Sequence, residues 1–155
     1  MEDLNPPATL GEIGLQRFAP YLMNRIMGRY NDSIQKTLAE GGLTTAKLRT
    51  LAVLTSHNGL MINELGVYCV IEQSTMSRTL AAMMDDGLVR REEDENDSRA
   101  RRIYITEQGR AVFDQFWPAM GAASEGMFEG IDEGERETFV TTLQKILGNV
   151  RQNPF

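Results

Sequence analysis

The chain has 155 residues, 41% hydrophobic and 25% charged, with a formal net charge of -6, which suits one soluble domain or two small lobes sharing a core. Its one cysteine, Cys69, excludes an internal disulfide and fits a reducing cytoplasm. No run reaches the roughly 18 apolar residues of a membrane helix, and the opening MEDLNPPATLGEIG lacks the basic start and apolar centre of a signal peptide.

The elements follow in chain order. The Pro-containing start reads as loose. Pro20 suits the first turn of a helix, because its fixed φ is already helical. Tyr21, Leu22, Ile26, Tyr30, Ile34 and Leu38 then recur at helical spacing until Gly41-Gly42. Leu15 and Phe18 either extend this helix upstream through a kink at Pro20 or lie beyond a break. Thr44 is a fair N-cap for a second helix carrying Leu48, Leu51, Ala52 and Leu54, which runs out near His57-Asn58-Gly59. A short third helix, INELGVYC, spans Ile62 to Cys69. A fourth, in QSTMSRTLAAMMDDG, places Met76, Leu80, Met83 and Met84 on one face and stops at Gly87.

The period then changes from helix to strand. LVRRE and RRIYI are short β-prone runs separated by EDENDSRA, a hairpin with a long charged tip. Thr106 caps a fifth helix bearing Val112, Phe113, Phe116 and Trp117, with disturbance expected at Pro118 and Gly121. Asp132 and Glu135 have the form of a capping box before a last helix carrying Phe139, Leu143, Ile146, Leu147 and Val150. The fold class is therefore mainly α with a small β-hairpin. Two short helices followed by a two-stranded ribbon make a winged helix-turn-helix over 43–105. An N-terminal segment and helix (1–42) and two C-terminal helices (106–155) flank it. The apolar residues of the flanking helices are hard to bury on one small winged domain, and mutual burial in a homodimer is the simpler outlet.

Most of the excess acid lies at the two ends. Between Leu43 and Ile105 eight basic residues stand against nine acidic ones, and screening over about 8 Å lets a local basic face act independently. On the fourth helix, Met76, Leu80 and Met83 anchor one face. The opposite face offers Ser74, Ser77 and Arg78 beside small Ala81, which suits base edges in a major groove. Gly66 would let the third helix cross closely above. In the hairpin tip, Asp97 stands two residues before Arg99 and can hold its guanidinium in one rotamer for a phosphate or a narrow minor groove. Arg101 and Arg102 point to opposite sides of a strand, so one faces the same partner as Arg99 and the other packs or pairs with the acids. Glu92, Glu93, Asp94 and Glu95 either limit non-specific affinity or keep the loop solvated.

These residues resemble the MarR family, the multiple antibiotic resistance regulators. The likeness rests on Asp97-Ser98-Arg99-Ala100 leading through Arg101-Arg102-Ile103-Tyr104-Ile105 to Thr106-Glu107-Gln108-Gly109. It also rests on Leu43-Thr44, Glu64-Leu65, Ser74-Thr75-Met76-Ser77-Arg78 and Gly87-Leu88-Val89-Arg90, and covers roughly Leu43 to Gly109. Departures are Ile105 for the usual leucine, Ser77 for threonine and Gly66 for alanine. The resemblance implies a homodimeric transcriptional regulator, often a repressor, whose winged domains read a palindromic double-stranded DNA operator and which small aromatic or anionic ligands release. It marks Ser74, Thr75, Ser77, Arg78, Arg99 and Arg101 as DNA-binding, with Asp97 orienting Arg99.

Other chemistry is poorly supplied. His57 is the single histidine and shares no ligand spacing with Cys69, so no metal site or cofactor is expected. No phosphate loop or catalytic triad appears, and an enzyme is not expected. Cys69 reads as a small buried apolar residue rather than a redox switch. Met23, Met27, Met120 and Met127 are most simply core filler, and a second reading places an adaptable ligand pocket near Tyr21, Phe113 and Trp117. The alternative function is a winged module that binds another protein and never touches DNA.

Overall fold

The computed structural model describes residues 8–155. The part of the expected loose start that falls on residues 1–7 lies outside that range. The rest of that stretch, before Pro20, is largely helical rather than loose. Thr9 and Glu12 form a capping box that starts α1 (Leu10–Ile13), and a 3-10 turn over Leu15–Arg17 follows. Phe18 is extended, so the chain breaks before α2 (Ala19–Glu40) rather than kinking within it, and Pro20 sits in the first turn of α2.

Three helices and a small sheet make the central lobe. Thr44 Oγ1 accepts from Lys47 N at 3.2 Å and opens α3 (Thr45–Ser56). The chain then passes through β1 (Leu60–Met61) into α4 (Ile62–Cys69) and, after a tight turn, α5 (Gln73–Asp85). The hairpin is β2 (Val89–Glu93) and β3 (Arg101–Ile105), antiparallel, with Val89 opposite Ile105 and Glu93 opposite Arg101. β1 was not foreseen. It pairs with the other edge of β3, Leu60 opposite Ile103, and gives the sheet order β1-β3-β2. Asn58 Oδ1 accepts from Ile105 N at 2.9 Å, which fastens the α3–β1 turn to β3.

The core lies where these elements meet: Leu48, Leu51 and Leu54 of α3, Leu65 and Cys69 of α4, Met76, Leu80 and Met83 of α5, and Val89, Ile103 and Ile105 of the ribbon. Ile34 and Leu38 reach it from α2, and Phe113 and Phe116 from α6 (Glu107–Met127). The Thr106-x-x-Gly109 step locks α6 to the sheet. Thr106 Oγ1 donates to Gly87 O at 2.6 Å and accepts from Gly109 N at 3.0 Å, while Thr106 N donates to Leu88 O at 3.1 Å. A Cβ on Gly109 would run into the Leu88 carbonyl, so only glycine permits this approach.

Two expectations for the C-terminal part change. α6 runs unbroken through Pro118 and Gly121. The carbonyl that Pro118 leaves without a donor belongs to exposed Asp114, where solvent can satisfy it. The Asp132–Glu135 capping box is half formed: Asp132 Oδ1 accepts from Glu135 N at 2.9 Å, and no return bond from Glu135 accompanies it. α7 (Glu133–Val150) buries no residue. Its ties to the chain include the edge-on meeting of Phe139 with Phe128, ring centroids 6.0 Å apart, and Arg136, which clasps Glu125 with two bonds and lies 4.5 Å from the centre of the Phe128 ring.

Candidate nucleic-acid interface

The α5 helix is anchored on one side and bare on the other. Met76, Leu80 and Met83 are almost completely buried, which fixes its rotation against the core. Ser74, Ser77, Arg78 and Ala81 then stand exposed at i, i+3, i+4 and i+7, a single stripe of short polar and small groups with one guanidinium. Arg78 Nη2 donates to Thr75 Oγ1 at 3.4 Å, and Thr75 is half-buried, so Thr75 steadies Arg78 from behind the stripe. Ser74 Oγ donates to Glu72 Oε1 at 3.2 Å. Gly66 serves the turn rather than a helix crossing: Ile71 N donates to Gly66 O at 2.9 Å, and a Cβ on Gly66 would stand 3.2 Å from the Ile71 carbonyl. Val70, the capping residue of α4, is left-handed at φ 55° and exposed, a conformation that costs a β-branched residue energy and that the sequence pattern did not signal.

The ribbon tip is organised by its acids. Asp94 Oδ2 accepts from the backbone N–H groups of Asn96 and Asp97, both at 3.1 Å, and Asp94 Oδ1 is paired with Arg102 Nε. The Arg102 hydrogen bond, followed by the Asn96 N–H, holds the Asp94 carboxyl below the usual carboxylate range. Arg102 Nη1 also donates to Gly59 O at 2.8 Å, joining the tip to the approach of β1. Arg102 is thus the strand arginine that packs, as alternation required. Arg101 is engaged as well, with Glu93 at 3.2 Å and with the carbonyls of Ser98 and Ala100. Arg90 bonds Glu92 at 2.7 Å and lies 4.8 Å from the centre of the Tyr104 ring. Glu92, Glu93 and Asp94 therefore neutralise and position arginines, a role beyond solvation of the loop. Asp97 acts on the backbone of its neighbour: its Oδ1 accepts from Arg99 N at 2.9 Å. The Arg99 guanidinium is exposed and makes no hydrogen bond or ion pair among the described residues.

A helix with a bare short-chain stripe beside a ribbon tipped by a free arginine is a nucleic-acid reading arrangement. A sequence model of the MarR family matches residues 41–100. The crystal structure of a MarR family transcriptional regulator from Silicibacter pomeroyi is 51% identical, covering 96% of this chain and 100% of that one with a TM-score of 0.91. The chain belongs to the MarR family. The HTH-type transcriptional repressor IacR of Pseudomonas putida is 23% identical, over 90% of this chain and 83% of its own. CouR from Rhodococcus jostii RHA1, solved bound to p-coumaroyl-CoA, is 25% identical over 86% of this chain and 94% of that one, with a TM-score of 0.75. The relatives are DNA-binding transcriptional regulators rather than enzymes, and this MarR-family chain is a regulator of the same kind.

The remaining expected sites of this MarR-family chain separate. Tyr21 lines a cleft of about 1050 Å³ between α2 and the α6–α7 corner, together with Arg25, Arg29, Tyr30, Met127 and Phe128. Phe113 and Trp117 do not line it. Their ring centroids lie 6.0 Å apart, Phe113 in the core and Trp117 exposed, so neither shares that cleft with Tyr21. Helical spacing alone could not tell which part of α6 faces the outer half of α2. Cys69 is buried with Sγ 4.0 Å from Thr50 Oγ1, and burial raises its thiol pKa. His57 caps α3, and its ring lies tilted against Tyr68 with centroids 5.0 Å apart. Among the described residues no group of three His, Cys, Asp or Glu side chains could hold a metal, and no helix is long and apolar enough to cross a membrane.

Proposed function

We propose that this MarR-family regulator is a cytoplasmic repressor that acts as a homodimer on a palindromic operator. Ser74, Ser77 and Arg78, steadied by Thr75, read base edges in the major groove. Arg99, whose backbone Asp97 fixes, meets a phosphate or enters the minor groove. The carrying observation is the α5 stripe, anchored behind by Met76, Leu80 and Met83 and bare in front. The dimer reading is supported by the apolar groups left exposed on α2 and α7, among them Ile26, Met27, Phe139, Leu147 and Val150. Two reading helices in such a dimer stand about 34 Å apart, one turn of duplex.

The same reading includes release by a small ligand. The cleft offers two arginines, two tyrosines and two phenylalanines against one carboxylate, Glu135, a lining that suits an aromatic anion, and p-coumaroyl-CoA on CouR is of that class. The second reading, a protein-binding winged module, draws on the net charge of -6 and the acidic residues of the tip.

Titration of a labelled duplex from upstream of the chain's own gene, at several salt concentrations, decides between them. Specific submicromolar binding that strengthens steeply as salt falls supports the repressor reading, and indifference to duplex supports the protein-binding module.

A further inference from the structure

The ribbon carries five arginines, and its carboxylates sort them. Arg90 is held by Glu92, Arg101 by Glu93 and Arg102 by Asp94. Arg91 and Arg99 are the two with no ion pair or side-chain hydrogen bond among the described residues, and both are exposed. Arg99 is already accounted for by the DNA-binding reading. Arg91 is not, and the sequence pattern passed over it in favour of Arg101.

Register tells where Arg91 stands. It lies directly opposite Ile103, so the two side chains share a face of the ribbon with Val89 and Ile105. Those three apolar neighbours are buried, and β2 is the strand that packs on α5. Arg91 is therefore on the recognition-helix side of the wing, at the point where that face leaves the core and meets solvent. Arg90 and Arg102 point to the other face, each next to an acid. Arg101, one step nearer the tip on the same side as Arg91, has its charge offset by Glu93 at 3.2 Å. An arginine already paired must give up that partner before it can neutralise a phosphate, whereas an unpaired one loses only water and mobile counterions.

The geometry points to Arg91 as the second phosphate contact of the wing, reaching the duplex backbone between α5 and the Arg99 tip, with Arg101 retained as a structural clasp. This assignment rests on the DNA-binding reading above and adds to it a residue and a division of labour within the arginine cluster. Because each protomer of a dimer would contribute one Arg91, removal of its charge takes two phosphate neutralisations from the complex.

The test uses the full-length chain, the upstream duplex and three variants: Arg91→Gln, Arg91→Lys and Arg101→Gln. Each is titrated at four or more salt concentrations, and its thermal midpoint is recorded. Arg91→Gln is expected to fold normally, bind more weakly at every sequence and flatten the plot of log affinity against log salt by about 1.8. Arg91→Lys, which keeps the charge, restores most of the wild-type slope, an outcome that a purely packing role would not produce. Arg101→Gln is expected to lower the midpoint with little change in slope. A wild-type slope in Arg91→Gln overturns the proposal, as does a slope loss that appears in Arg101→Gln in its place. Failure of the wild-type chain itself to bind any duplex would bring down the DNA-binding reading, a result distinct from either.

Discussion

Between Leu43 and Ile105 the large apolar side chains are buried or half-buried within the one chain, apart from Val67 and Val70, whereas α7 buries none of its own. Both regions carry amphipathic helices of ordinary composition. They differ in where their partners come from. The winged lobe closes on itself through α3, α4, α5 and the sheet. α7 leaves Phe139, Val140, Ile146, Leu147 and Val150 open, held to the chain by Arg136–Glu125 and the Phe128–Phe139 pair. The first region satisfies itself, and the second is the one that the proposed homodimer would cover. Substitutions in the two should therefore fail in different ways.

The largest expected effect is on the open side. Phe139→Glu with Leu147→Glu should convert dimer to monomer by light scattering while leaving the helical circular dichroism nearly unchanged. Loss of the second half-site should weaken operator binding by roughly 10²–10⁴. A double variant that stays dimeric would break the comparison. On the closed side, Leu51→Ala should lower unfolding stability by about 2–5 kcal/mol, measured by denaturant titration, with dimerisation intact up to the unfolding transition. Arg78→Ala touches neither region's packing. It should cost about 1–3 kcal/mol of discrimination at one base pair, read by competition between single-substituted operators, with little change in thermal midpoint.

The smallest effect concerns the ribbon tip. Asp94 has its pKa depressed by Arg102 and the Asn96 N–H, so its support of the tip is present above the ordinary carboxylate value of 3.8 and is lost as pH falls through its lower folded value. The amide resonances of Asn96 and Asp97 should accordingly hold steady from pH 7 to 5 and move only in strong acid. In Asp94→Asn they should lie near their acid positions at every pH.

The winged lobe was largely legible because its signals are local. Thr44 and Thr106 cap as their positions suggest, Met76, Leu80 and Met83 share a face, and the LVRRE and RRIYI runs pair as read. What stayed hidden depends on distant groups. β1 is two residues long and exists because β3 offers it an edge. The Tyr21 cleft is set by the angle at which α2 meets the α6–α7 corner, which no spacing encodes. Which arginines of the ribbon are free followed from strand register across β2 and β3, where a single step changes the facing acid. Asp97 was read as a partner for a guanidinium, yet at a separation of two residues its carboxylate finds the nearer backbone N–H first.

The lock between Thr106, Gly109 and the Leu88 carbonyl seats one end of a helix 21 residues long. At 1.5 Å per residue that rod extends about 31 Å to its far end, without interruption at its proline. A tilt of about 5° at the seat therefore swings the far end by about 3 Å. The converse also holds: a small displacement imposed at the outer corner returns through the same lever as a change in the pitch of the sheet and of everything hung from it.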